Sequence, residues 1–210
     1  SGSPTKEGET QKLIHIVSQL ARKEGGSIFD GNRGSGFHGN QHLGRASKIA
    51  IPLVLGGAAL LAGMHRWEGQ ELTVYADALA GGLPTYCSGR TQPPRPVGER
   101  LTQAQCDAID AQTATEYGRA VLACIPADKL DQNSFDAFTL FAINVGKSAA
   151  CGSRAAQLMR AGNREAACKA LARGPDGRPV WSYAGGVFVR GLQNRRQYEA
   201  NWCLTLAEAP

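Results

Sequence analysis

The chain predicts an α+β fold that is mainly helical, with one small antiparallel β-hairpin beside a cleft. Three observations carry this expectation. Several segments beyond residue 100 have helix-type starts or end at glycine or proline. Between Tyr75 and Arg90, strand-forming residues flank a glycine turn. Of 210 residues, 42% are hydrophobic and 20% charged, which suits one compact core plus an appendage rather than two full cores.

Residues 1–47 read as an N-terminal arm. Ser1-Gly2-Ser3 resemble an expression scar and are set aside. Leu13, Ile14, Ile16, Val17, Leu20 and Ala21 predict a short amphipathic helix over 11–22, followed by a glycine-rich linker. His15, His38 and His42 match no metal-ligand spacing, so no metal or other cofactor is expected. From Ile49 to Met64 there are sixteen uncharged residues, with Arg45 and Lys48 before them and His65 and Arg66 after. A spanning helix wants about 20 apolar residues, and Gly56, Gly57, Gly63 and the alanines dilute this run further. The segment 48–64 therefore reads either as a weak, reversible membrane segment or as a buried core helix.

In the remaining chain, 65–210, Thr73-Val74-Tyr75 and Thr85-Tyr86-Cys87 predict the hairpin. Helices are expected over Thr102–Leu122, opened by L-T-x-x-Q and stopped before Pro126, and over Asn133–Asn144, stopped at Gly146. Others are expected over Ser153–Ala161, Asn163–Leu171 and Gly191–Leu204. The intervening GPDGRP, residues 174–179, reads as a surface turn.

The chemistry-bearing stretch runs from Trp67 to Thr91. Glu68, Asp77 and Thr85 are the residue types that cut a glycosidic bond: one carboxyl protonates the leaving oxygen, and a carboxylate with a small polar partner acts from the opposite side of the sugar. Apolar residues before Glu68, with Trp67 beside it, offer the low-dielectric setting that keeps a general acid protonated. Asp77, among small and turn residues, is expected to stay ionised. The plain alternative is two surface carboxylates.

The same stretch resembles the phage lysozymes of the T4-lysozyme type, in their lambdoid endolysin branch. Glu68-Gly69, Tyr75-Ala76-Asp77 and Thr85-Tyr86-Cys87-Ser88-Gly89-Arg90-Thr91 match its EG, Y-x-D and T-x-C-x-G-x-T in order. Asp136-Ala137-Phe138 through Asn144-Val145-Gly146 resemble its central helix, and Gly191-Leu192-Gln193-Asn194-Arg195-Arg196 with Glu199 its closing signature. The resemblance implies a lysozyme-like fold acting on peptidoglycan glycan strands, with Glu68 as general acid, Asp77 as the water-orienting or charge-stabilising carboxylate and Thr85 as its hydroxyl partner. It implies Arg195 as a charge partner for Glu68, Asn144 as a supporting residue, and the inverting stereochemical course. Two departures stand out: two extra residues between Asp77 and Thr85, around Gly81 and Gly82, and Arg90 where a histidine is common. Trp181, Tyr183 and Phe188 either stack on sugars or fill the core.

Six cysteines without a C-x-x-C pair indicate disulfides and an oxidising compartment, against the alternative of six buried thiols. Resemblance and helical reading together favour Cys87 with Cys106, Cys124 with Cys151 and Cys168 with Cys203. Segment 48–64 resembles the signal-anchor-release segments of endolysins. That implies export, a tethered inactive stage at the host inner membrane, and a released active stage in the periplasm, with lysine and arginine bias holding the arm in the cytoplasm. Four steps from Met64 to Glu68 would keep a tethered acid within roughly 14 Å of lipid, so tethering is expected to leave the cleft unformed until the helix carrying Glu68 docks. A formal charge of +5 suits anionic envelope polymers. No basic face interleaved with aromatics appears, so nucleic acid is not an expected partner. A monomer is expected. Competing functions are a lytic transglycosylase, a bacteriocin killing domain of the same fold, or a non-enzymatic membrane-anchored wall-binding module.

Overall fold

A computed structural model describes residues 52–78 and 81–206. The expected helix at 11–22, the glycine-rich linker and residues 48–51 lie outside the described residues. Helix α1, Ala58–Glu68, begins after Gly56-Gly57 and stops at Gly69 with φ 70°. Leu60, Gly63, Met64 and Glu68 share its buried face. Gly63 is needed for close approach, since a Cβ there would sit 3.1 Å from the Trp202 ring. The helix crosses the boundary drawn at residue 65, because Leu60 and Met64 fill the main core.

Strands β1, Glu71–Asp77, and β2, Leu83–Cys87, form the expected antiparallel hairpin, with Tyr75 opposite Thr85 and Asp77 opposite Leu83. A register shift between Glu71 and Tyr75 brings Glu71 opposite Cys87. Alternation then gives the sheet two faces. Val74 and Tyr86 join Cys87, Leu101 and Cys106 in a small second core, while Tyr75, Asp77 and Thr85 occupy the other face.

Helix α2, Gln103–Cys124, starts on a capping box between Thr102 and Gln105, which satisfies two orphan backbone donors as L-T-x-x-Q predicts. A 3₁₀ turn, Ala127–Lys129, follows Pro126. Helix α3, Gln132–Val145, is capped by Asp131 and is buried nearly all round, with Phe135, Phe138, Leu140, Phe141 and Ile143 among its buried residues. Such a helix belongs in the middle of the molecule, and α1, α2 and α7 pack around it.

Short helices α4 (Lys147–Gly152), α5 (Arg154–Arg160, capped by Ser153) and α6 (Arg164–Ala170, capped by Asn163) come next. Residues 174–179 form the expected turn, in which Gly174 N donates to the Arg178 carbonyl at 2.8 Å. A two-residue-per-strand hairpin, β3 (Tyr183–Ala184) and β4 (Val187–Phe188), turns at Gly185-Gly186 and leads into α7, Arg190–Leu204. All six cysteines are paired in the three expected disulfides, with Cα separations of 5.1, 5.7 and 5.4 Å. No described helix is long and apolar enough to cross a membrane.

Candidate active site

Glu68 is the last residue of α1, and its side chain is screened from solvent by the elements around α3. Its Oε1 accepts a hydrogen bond of 2.7 Å from Nη1 of Arg195, 127 positions away on α7. Arg195 is held from its other sides: Nη2 donates to the Leu140 carbonyl on α3 at 3.2 Å, and Nε donates to Glu199 at 3.1 Å. The expected acid and its expected charge partner thus meet in a dry setting, where charge pairs act strongly. Trp67 packs edge-on to Tyr198 at 5.7 Å, and the Arg66 guanidinium lies over both rings.

The other two candidate residues, Asp77 and Thr85, ride on the hairpin. Asp77 ends β1 at 6% exposure, and Thr85 in β2 is fully buried. Both point to the face opposite the small core, and Thr85 lies two residues beyond the partner of Asp77. That diagonal places their Cα atoms about 7–8 Å apart. The two extra residues around Gly81 and Gly82 therefore fall in the turn and leave the ladder intact; Gly81 and Gly82 take φ 71° and 80°, as a left-handed turn requires. Thr85 Oγ1 donates to the Leu83 carbonyl at 3.1 Å, which keeps its lone pairs for accepting. On the same face, burial first, then Asp77 and Glu71, push the Tyr75 hydroxyl up to about 12. Arg90, in place of the common histidine, donates to Thr113 at 3.2 Å and to the Gln92 carbonyl at 2.7 Å, tying the tail of β2 to α2.

Asn144, near the end of α3, is 4% exposed, and its Nδ2 has no hydrogen-bond acceptor among the described residues. Trp181 is 39% exposed and stands edge-on to Phe141 at 5.5 Å. Its φ of 56° is costly for a bulky side chain and persists only where the surroundings fix it. Tyr183 and Phe188 pair edge to face at 5.7 Å on the exposed β3–β4 hairpin, so they do not belong to the core. Among the described residues no cluster of side chains is arranged to hold a metal ion.

Two clusters exceed what the sequence predicts. Arg196, also fully buried, donates to Glu199 Oε1 at 2.7 Å and lies over the Phe141 ring at 5.0 Å. Burial lowers Arg196 to about 10, which leaves it charged at neutral pH. Burial likewise raises the Glu199 carboxyl, with Arg196 and then Arg195 pulling it back. The signal was present: Arg195 and Arg196 stand four and three residues before Glu199, the spacing of same-face helical ion pairs. In the second cluster, buried Asp110 on α2 accepts from Ser88 at 2.7 Å and Gln70 at 3.4 Å and lies 3.1 Å from His65 Nε2, joining α1, the turn after β2 and α2. Nothing in the local sequence links these four.

Comparison with known proteins agrees with this architecture. The Phage lysozyme family model matches residues 65–199. The SAR-endolysin of Bacteriophage PS119 is 29% identical over 161 residues, spanning 77% of this chain and 88% of the relative. The SAR-endolysin of Enterobacteria phage P21 is likewise 29% identical over 161 residues, with 77% and 89% covered. Among solved structures, the endolysin from Escherichia coli O157:H7 phage FAHEc1 superposes with a TM-score of 0.62 at 26% identity, covering 76% of this chain and all of that one. The active form of the P1 phage endolysin superposes with a TM-score of 0.60 at 25% identity over 72% of this chain and 85% of that one. The chain belongs to the phage lysozyme family, and it is a glycoside hydrolase that lyses peptidoglycan.

Proposed function

We propose that the enzyme hydrolyses the β-1,4 bond between N-acetylmuramic acid and N-acetylglucosamine, with Glu68 as the proton donor. The observation that carries this reading is the buried bond between Glu68 and Arg195, which fixes one carboxyl oxygen at the end of α1. Glu68 gives its proton to the leaving sugar oxygen as the C1–O bond breaks. A water adds to C1 from the other face, held by Asp77 with Thr85, and loses a proton to Asp77. Asn144 contributes a free amide donor for a sugar oxygen, and Trp181 a face for a pyranose ring.

Glu68→Gln keeps the shape and removes the acid. Its lytic activity on purified peptidoglycan is expected to fall by about 10²–10⁴-fold, with an unchanged circular dichroism spectrum. Parent-level activity in that variant would reject the assignment. Mass spectrometry of the released glycans is expected to find reducing ends; anhydro-muramic ends would indicate a transglycosylase.

The exported, membrane-tethered stage belongs to the same proposal. The SAR-endolysin names of the relatives and the weak apolarity of 48–64 support it. Leu60, Gly63 and Met64 are core residues of α1 here, so a segment held in lipid withholds them from the core and Glu68 from Arg195. A chain locked to the inner membrane by a stable anchor is therefore expected to lyse poorly beside the released chain. Equal lysis by the two forms would remove the tethering step. The released enzyme acts as a monomer in this reading.

A further inference from the structure

A carboxylate bonded to a guanidinium in a dry interior keeps its negative charge, whereas the role proposed for Glu68 requires it to carry a proton. Helix α7 sharpens the conflict by bringing two arginines to this place, Arg195 and Arg196, both with no solvent exposure. Glu199 engages both at once. Its Oε1 accepts from Arg195 Nε at 3.1 Å and from Arg196 Nη2 at 2.7 Å. With Nε so held and Nη2 on the Leu140 carbonyl, the Arg195 plane is fixed and Nη1 is aimed at Glu68.

We propose that Glu199 is a positioning residue for the reaction: by spanning the two guanidiniums it orients Arg195 and offsets one positive charge, so that Glu68 can hold and release a proton at the pH where the wall is cut. The proposal rests on the assignment of Glu68 as the acid. With Glu68 ionised, the four side chains sum to zero; protonation takes them to one positive charge. Without the Glu199 charge, the same step runs from one positive charge to two and is disfavoured. Without the Arg196 charge, it runs from one negative charge to zero and is favoured. The two removals therefore act in opposite directions on the proton of Glu68.

Several other ionisable groups on the elements around α1 have described partners of their own. On α1 itself, Arg66 lies over Trp67 and Tyr198, and His65 faces Asp110. On α2, Asp110 also takes Ser88 and Gln70. On α3, Asp136 takes Gln132, which also bonds Val54 ahead of the far end of α1. Asp77 lies on the hairpin, on the other side of the scissile bond in the proposed mechanism.

The test is the pH–rate profile of the full chain on soluble peptidoglycan fragments, for the parent, Glu199→Gln, Arg196→Met and the double variant. The alkaline limb of kcat is expected to move about one pH unit or more toward acid in Glu199→Gln and toward alkali in Arg196→Met. In the double variant it is expected to return near the parent, with KM within about twofold throughout. Should Glu199→Gln fold poorly, the double variant against Arg196→Met alone still isolates the Glu199 effect, since it removes the buried charges together. Limbs that coincide, or that move in the same direction, would overturn the proposal and leave Glu199 a structural residue. Activity retained in Glu68→Gln would instead overturn the acid assignment and this proposal with it.

Discussion

On the helical side of the proposed site, Glu68 and Arg195 sit against α3 within a core that runs through α1, α2, α3 and α7, and four charged side chains there are shut away from water. On the opposite side, Asp77 and Thr85 ride on a two-stranded sheet whose own core is Val74, Tyr86, Cys87, Leu101 and Cys106. A two-stranded sheet is marginal without packing or a covalent staple, and here the Cys87–Cys106 disulfide ties β2 to α2. The contrast teaches that the proposed active site is held by two kinds of force. Glu68 is fixed by packing and by its bond to a buried set of charges, Asp77 by a cross-link and a few backbone bonds.

The largest expected effect breaks the charge set. Arg195→Met leaves Glu68 and Glu199 facing each other with less compensation, and urea unfolding is expected to register a loss of about 3–5 kcal/mol along with the loss of lysis. An unfolding midpoint equal to the parent would mean that packing alone holds this side. Next comes the staple. Replacing Cys87 and Cys106 together by serine opens a loop of 19 residues and is expected to cost about 3 kcal/mol. Hydrogen exchange should then speed up at Val74 and Tyr86 while α3 stays protected; uniform loss of protection would erase the distinction between the two sides.

The smallest effect concerns Asp136, on the helical side but outside the charge set. Burial pushes its carboxyl up to about 7 against the hydrogen bond from Gln132. The folded chain therefore keeps a proton that the unfolded chain loses near pH 4. Its contribution to stability is fully present below the unfolded value and is lost as pH rises through about 7. Asp136→Asn keeps the Oδ1 acceptor and is expected to melt a few degrees higher than the parent at pH 8 and with it at pH 4. Identical pH dependence in the two chains would show that this side tolerates an unpaired buried carboxylate.

The capping box at Thr102 and Gln105, the strand pair around Gly81-Gly82 and the glycine stop at Gly146 are local devices, and each was readable because its partners lie within a few residues. The residues proposed for the site were singled out by type and order alone. Helix α4, Lys147–Gly152, was missed because six residues offer too little apolar period. The β3–β4 pair was missed because two-residue strands carry no alternation. The Ser88–Asp110–His65 cluster drew on three elements and left no local trace.

By itself, then, the sequence determined the longer helices, the first hairpin, the candidate carboxylates and the cysteines, because capping, periodicity and turn chemistry act between near neighbours. Tertiary structure alone decided that α1 is a core helix, that Asp77 and Thr85 share a face turned away from Val74, and that Glu199 joins two arginines behind Glu68. Those outcomes depend on which surfaces meet across as many as 127 positions of chain. Desolvation and pairing of charge exist only once those surfaces have closed.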